Sequence, residues 1–123
     1  MKNVSQTYLL SLTTREFESV TLAIMLNSNK TGKLQGLGRC ISKWLQQWNA
    51  GELGIIKASG SQYPERQPGH AHQIYVGLTA DATNIFRAWR AALVEEFAMP
   101  VTVTIAISAL VECVIAHHRG EIA

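Results

Sequence analysis

VTVTIAISALVECVIAHH, residues 101–118, is the stretch on which the fold turns. Its first seven residues alternate strictly, with Val101, Val103, Ile105 and Ile107 separated by Thr102, Thr104 and Ala106. A period of two carried by β-branched residues suits a strand. The same segment also fits a helix, because Val103, Ile107, Leu110, Val111 and Val114 fall on one helical stripe. Pro100 stands near the first turn, where a missing N–H is tolerated, and SALVECVIAHH continues as good helix. The expectation is a helix. Were it a strand, the order of elements described next would lose its regularity.

Upstream of this segment, Ile85, Phe86, Trp89, Leu93 and Phe97 mark a helix that Met99-Pro100 ends. Ahead of that helix, Ile74, Val76 and Leu78 alternate with Gln73, Tyr75 and Gly77, a strand pattern, and Thr79 is the expected N-cap with Asp81 in the first turn. The N-terminal half follows the same plan. Tyr8, Leu10 and Leu12 alternate with Thr7, Leu9 and Ser11. Thr13 or Thr14 then caps a helix that carries Glu16 in its first turn and Phe17, Val20, Ala23 and Ile24 on one stripe, through about residue 27. NSNKTGK, with Gly32, is read as its stop. Leu34, Leu37, Ile41, Trp44, Leu45 and Trp48 form a further amphipathic helix, weakened at its start by Gly36 and Gly38.

The chain thus reads as β-α-α twice, residues 5–50 and 71–118, around a linker at 51–70 in which LGIIKA offers a stray strand at 53–58. At an offset of 66 the halves share Leu12/Leu78, Thr13/Thr79, Ile41/Ile107 and Ser42/Ser108 among six identities, close to chance, while apolar positions coincide more often. Residues 1–123 are read as one domain, within the usual ~100–200 residues. The fold expected is mainly α, with a two-stranded antiparallel ribbon and a pseudo-twofold β-α-α repeat. A lone strand cannot satisfy its own ladder, and two strands from two similar units solve this for each other.

Composition narrows the function classes. The chain is 47% apolar and 16% charged, enough for a core and too little charge for a disordered tail. No apolar run is long enough to span a membrane, and no signal peptide is evident, so a cytoplasmic home without a membrane partner is expected. Residues 1–66 carry eight Lys/Arg against four acids, whereas residues 67–123 carry three against five. A polyanion would therefore favour the first half.

Catalytic and metal chemistry find little support. Cys40 and Cys113 make no metal spacing and are read as buried thiols. Gly32-Lys33 follows a helix and precedes Leu34, which is the wrong order for a phosphate loop. His70, His72, His117 and His118 lack Cys or carboxylate partners at ligand spacing and are read as linker and helix-end residues. Trp44, Trp48 and Trp89 are expected in the core. No metal, no cofactor and no enzymatic activity are expected.

The order β-α-α, twice in one chain, resembles the ribbon–helix–helix superfamily of MetJ and Arc type, in the tandem form found among conjugation accessory DNA-binding proteins of plasmids. The resemblance rests on element order and apolar spacing over most of the chain. It implies a ribbon that enters the major groove of double-stranded DNA and reads base edges with its outer face. Carried over by position, the base-contacting residues would be Thr7, Leu9 and Ser11 on the first strand and Gln73 and Tyr75 on the second, with Gly77 beside them. The resemblance also implies phosphate held at the N-terminal end of the second helix, here with Lys30, Thr31, Lys33 and Arg39. The matching place in the second half has Met99, Pro100 and Thr102, near Glu95 and Glu96, a poor clamp. Members of the superfamily often carry Arg, Lys or Asn on the outer ribbon face, and this chain has none there. A DNA-binding accessory or transcription-regulating protein is the first expectation, alone or with other proteins of a nucleoprotein complex. The alternative is a non-enzymatic adaptor or inhibitor of plasmid or phage type on the same scaffold.

Overall fold

The computed structural model describes residues 6–33, 36–55 and 72–120. Its elements are β1 (Gln6–Leu12), α1 (Thr14–Thr31), α2 (Leu37–Asn49), β2 (His72–Leu78), α3 (Ala80–Phe97) and α4 (Val103–His118). It is a mainly helical structure with one two-stranded antiparallel sheet, in which β1 pairs with β2. Leu9 and Tyr75 face each other at the centre of the register, flanked by Leu10↔Ile74 and Tyr8↔Val76.

The ambiguous segment is helical from Val103 onward. Thr102 stays extended and its hydroxyl accepts the N–H of Ile105, so the second residue of the period-two run caps the helix that the run forms. Burial decides between the two periods. All residues from Ala106 to Val111 are buried, so α4 runs through the centre of the fold and needs apolar groups on every side, not on a single stripe.

Local signals place the other ends. Thr13 caps α1 in a reciprocal box: its hydroxyl accepts from Glu16 N while Glu16 Oε1 accepts from Thr13 N at 2.7 Å. α1 runs to Thr31, past the end expected near residue 27, because Asn27 is buried inside the helix and the polar residues after it lie on its last turn. The stop is Gly32 alone, in the left-handed region at φ 72° with its N–H donating to Ser28 O. At the end of α3, Ala98 takes the same left-handed conformation without being glycine, and it does so before Met99-Pro100 is reached. β2 begins at His72, which pairs with Leu12, so His72 is a strand residue and not part of the linker. Of the stray strand expected at 53–58, residues 53–55 form no strand, and Leu53 is buried as a turn residue after α2. Residues 56–58, most of the linker and His70 lie outside the described residues.

A two-stranded ribbon is marginal by itself and needs a packed face. Leu10, Leu12, Val76 and Leu78 supply it, each at 2% exposure or less, on a core with Trp44, Phe86, Trp89 and Leu110. Full burial of such side chains stabilises by about 1.5–3 kcal/mol each, so the ribbon is held chiefly by the helices beneath it. Both ribbon edges are also covered. α4 lies along β1, where Ser11 N donates to Thr104 Oγ1 at 3.4 Å. α2 lies along β2, where Gly38 comes so close to the Gly77 carbonyl that a Cβ would stand 2.9 Å from its oxygen. Each second helix therefore meets the strand of the other half. α1 packs on α4, and α2 on α3, where Trp48 meets Trp89 edge-on at 5.2 Å. Trp89 also donates its indole N–H to Ala106 O at 2.9 Å, fixing α3 to α4.

Candidate nucleic-acid interface

The pleat sends alternate residues of β1 and β2 away from the core. Thr7, Leu9, Gln73 and Tyr75 are exposed and Ser11 and Gly77 partly so, with Tyr75 at 75% the most open large apolar side chain. The register sets Thr7 opposite Gly77, Leu9 opposite Tyr75 and Ser11 opposite Gln73. All five residues expected to contact bases thus share one outward face. That face holds hydroxyls, one carboxamide and a central Leu–Tyr pair, and no charge. A carboxamide can bond an adenine edge in two places, and the Leu and Tyr side chains can meet a thymine methyl.

Ribbon ends add a residue that sequence spacing missed. His72 is exposed, stacks on Phe17 at 4.7 Å and 24°, and its Nε2 lies 3.3 Å from Thr14 Oγ1. Nothing in the local pattern announces this, since the stacking partner is 55 positions away in the chain.

The four residues expected at phosphate are distributed over the α1–α2 corner. Lys30 is exposed in the last turn of α1, Lys33 is exposed just after Gly32, and Arg39 is exposed in the first turn of α2. Thr31 is engaged locally: its hydroxyl lies within hydrogen-bond distance of Asn27 O, Ser28 O and Lys33 O, and it accepts from Lys33 N. It shapes the corner and has less to offer a ligand. At Gly36, the N-cap of α2, no side chain among the described residues caps the first-turn N–H groups. That leaves the positive end of the helix dipole open beside two lysines and an arginine.

The corresponding corner before α4 differs in each respect. Thr102 caps the helix, exposed Glu95 and Glu96 lie near the end of α3, and the Arg90 side chain is tied to Val101 O. The two corners share a left-handed C-cap and an extended N-cap, and differ in the charge of the side chains around them.

Other chemistry is thinly represented. Burial pushes the Cys40 thiol up from its ordinary value, against smaller opposing effects of a hydrogen bond from Asn27 and the charge of Lys43. A thiol so placed is a poor nucleophile. Cys113 is also free and buried. Among the described residues no group of His, Cys, Asp and Glu could hold a metal, and no helix is long and apolar enough to cross a membrane. Comparison with family models, with curated proteins and with solved structures gave no match.

Proposed function

We propose that the chain is a single-chain ribbon–helix–helix protein that binds duplex DNA, laying β1 and β2 in the major groove and holding backbone phosphate at the open N-terminus of α2. The observation that carries this is the ribbon itself: two strands from distant parts of the chain pair, among the described residues, only with each other, and Thr7, Leu9, Gln73 and Tyr75 on their shared outward face are exposed. Such a ribbon has the width of the groove and side chains that match base edges.

Element positions support reading the chain as a pseudo-twofold repeat. β1, α1 and α2 begin at residues 6, 14 and 37, and β2, α3 and α4 begin at 72, 80 and 103, each 66 later. Leu9 and Tyr75, paired at the ribbon centre, are themselves 66 apart, as a twofold axis between them requires. The left-handed C-caps Gly32 and Ala98, and the edge contacts made by Gly38 and Thr104, keep the same offset.

The test is a gel shift on a pool of randomised duplexes at low salt, followed by sequencing of the retained fraction. Retention with a recovered sequence preference supports the proposal, and no retention at low salt sinks it. One observation favours a second reading, an adaptor that binds protein: the centre of the outer face is an exposed Leu–Tyr pair, and the strand residues that share this face carry no charge. In that case Tyr75→Asp abolishes capture of a protein partner while duplex DNA is not retained by either form.

A further inference from the structure

A second convergence of cationic side chains lies between the helices. Asn27 and Lys30 from α1, Lys43 and Gln47 from α2, and His117 and His118 from α4 line one small recess with a cavity volume of about 30 Å³. Among the described residues lining it, none is acidic. Lys43 and Gln47 are four apart, so they stand on one side of α2, and α4 brings its last turn to them from 70 residues further along the chain.

Charge and donor chemistry point the same way. Lys30 and Lys43 bring two positive charges to the lining of one recess, and an anion bound there would offset their mutual repulsion. Neutral donors surround them: the Gln47 amide, imidazole N–H groups and the Asn27 amide, which has two N–H donors and commits one to Cys40 Sγ at 3.4 Å. The C-terminal end of α4 would ordinarily discourage an anion. Here the N–H groups of Arg119 and Gly120 occupy the Ile115 and His117 carbonyls, which reduces that opposition. A volume of about 30 Å³ is far below the roughly 300 Å³ at which pockets for extended ring systems begin, and it leaves room only for a group of a few heavy atoms.

We propose that this recess is a binding site for a phosphate group, held by Lys30 and Lys43 with Gln47 and the two imidazoles as donors. It shares Lys30 with the α1–α2 corner but contains none of the ribbon residues, and it does not depend on bases being read there. The phosphate can come from a free ion or from a nucleic-acid backbone, and the two sources separate in one experiment.

The experiment is an amide-resolved NMR titration of the full chain at constant ionic strength, once with inorganic phosphate against chloride and once with a short duplex. Saturable shifts with inorganic phosphate at residues 27–30, 43–47 and 114–118 support a free-ion site. The same shifts with duplex alone support a backbone phosphate. In either arm Lys43→Gln weakens binding by about tenfold or more, the scale of one lost charge contact of about 1.4 kcal/mol. Lys43→Arg stays within about threefold because charge and donors are kept. Arg87→Ala, an exposed cation on α3 outside both the recess and the proposed DNA interface, leaves it unchanged. The melting curve of Lys43→Gln establishes that the variant is folded. The proposal fails if neither probe gives saturable shifts there, or if Lys43→Gln binds as the wild type does.

Discussion

Gly36→Asp separates stability from binding at the α2 corner and predicts that they move in opposite directions. Gly36 has φ −74° and ψ 159°, ordinary extended geometry for an N-cap, and a Cβ placed there meets nothing within 4 Å. An aspartate therefore fits without strain and supplies the side-chain acceptor that α2 lacks. A capping carboxylate exceeds glycine by a few tenths of a kcal/mol, and its interaction with the helix dipole adds about 0.3–1 kcal/mol. The expected gain is about 0.5–1 kcal/mol, a rise in melting temperature of roughly 2–6 °C for a chain of this size. The same carboxylate takes the place proposed for phosphate. Two such charges about 4 Å apart repel by ~1 kcal/mol in water and ~4 kcal/mol near a protein surface, so affinity for duplex should fall by at least about fivefold at low salt. Thermal unfolding followed by circular dichroism measures the first effect and fluorescence anisotropy with a labelled duplex measures the second. A lower melting temperature refutes the open cap. An unchanged affinity refutes phosphate at α2, whatever else the ribbon does.

Other expectations follow from single contacts. Gly38→Val should destabilise by about 1–3 kcal/mol, the range for overpacking, because its Cβ would press on the Gly77 carbonyl at 2.9 Å; denaturant unfolding measures it, with the better helix propensity of Ala making Gly38→Ala milder. Thr13→Ala removes one side of the α1 capping box and should cost about 1 kcal/mol in the same assay. If Lys30, Lys33 and Arg39 each neutralise one phosphate, log affinity should fall against log salt with a slope of about −3, and Lys33→Ala should reduce it by about one. Since the Cys40 thiol is raised above its ordinary value of 9.0, the folded state prefers the neutral form: that contribution is present in full below pH 9, is lost as pH rises through the folded value, and makes alkylation in the folded protein slower than in denaturant.

Much of the fold was legible from short-range pattern. The outward and inward sets of β1 and β2 follow from alternation alone, and the helix starts at Thr13 or Thr14 and at Thr79 with Asp81 were legible because capping depends on residues within one turn, Thr13 being the cap of α1 in the structure. α4 was the hard case, since a helix buried over most of its surface shows a stripe no clearer than its period-two alternation, and Pro100 with the helical continuation SALVECVIAHH favoured it. Distances between elements were not legible. His72 stacking on Phe17, the entry of Gly38 beside Gly77 and the meeting of Lys43 with His117 each join residues from separate parts of the chain, and no spacing rule encodes such meetings. Gly38 was read as a weak point in a helix, whereas in the structure the missing Cβ is what lets α2 reach the ribbon edge.

The difference between the two helix corners bears on what kind of DNA site the proposed ribbon would occupy. A ribbon with equal strands and equal clamps reads a site whose halves mirror each other. Here the strands pair with a central axis, yet each outward pair is unlike: Thr7 with Gly77, Leu9 with Tyr75, Ser11 with Gln73. One corner is open and basic, and the other is closed by Thr102, tied by Arg90 to Val101 and faced by two glutamates. Binding through such a surface fixes orientation, because reversing the protein on the duplex would set the acidic corner against the phosphates that Lys30, Lys33 and Arg39 neutralise. Opposed charges placed wrongly cost more than missing ones, so the preference is enforced by repulsion as well as attraction. The sites recovered from a randomised pool should accordingly lack internal symmetry, and a symmetric consensus would mean that the α2 corner is not gripping the backbone.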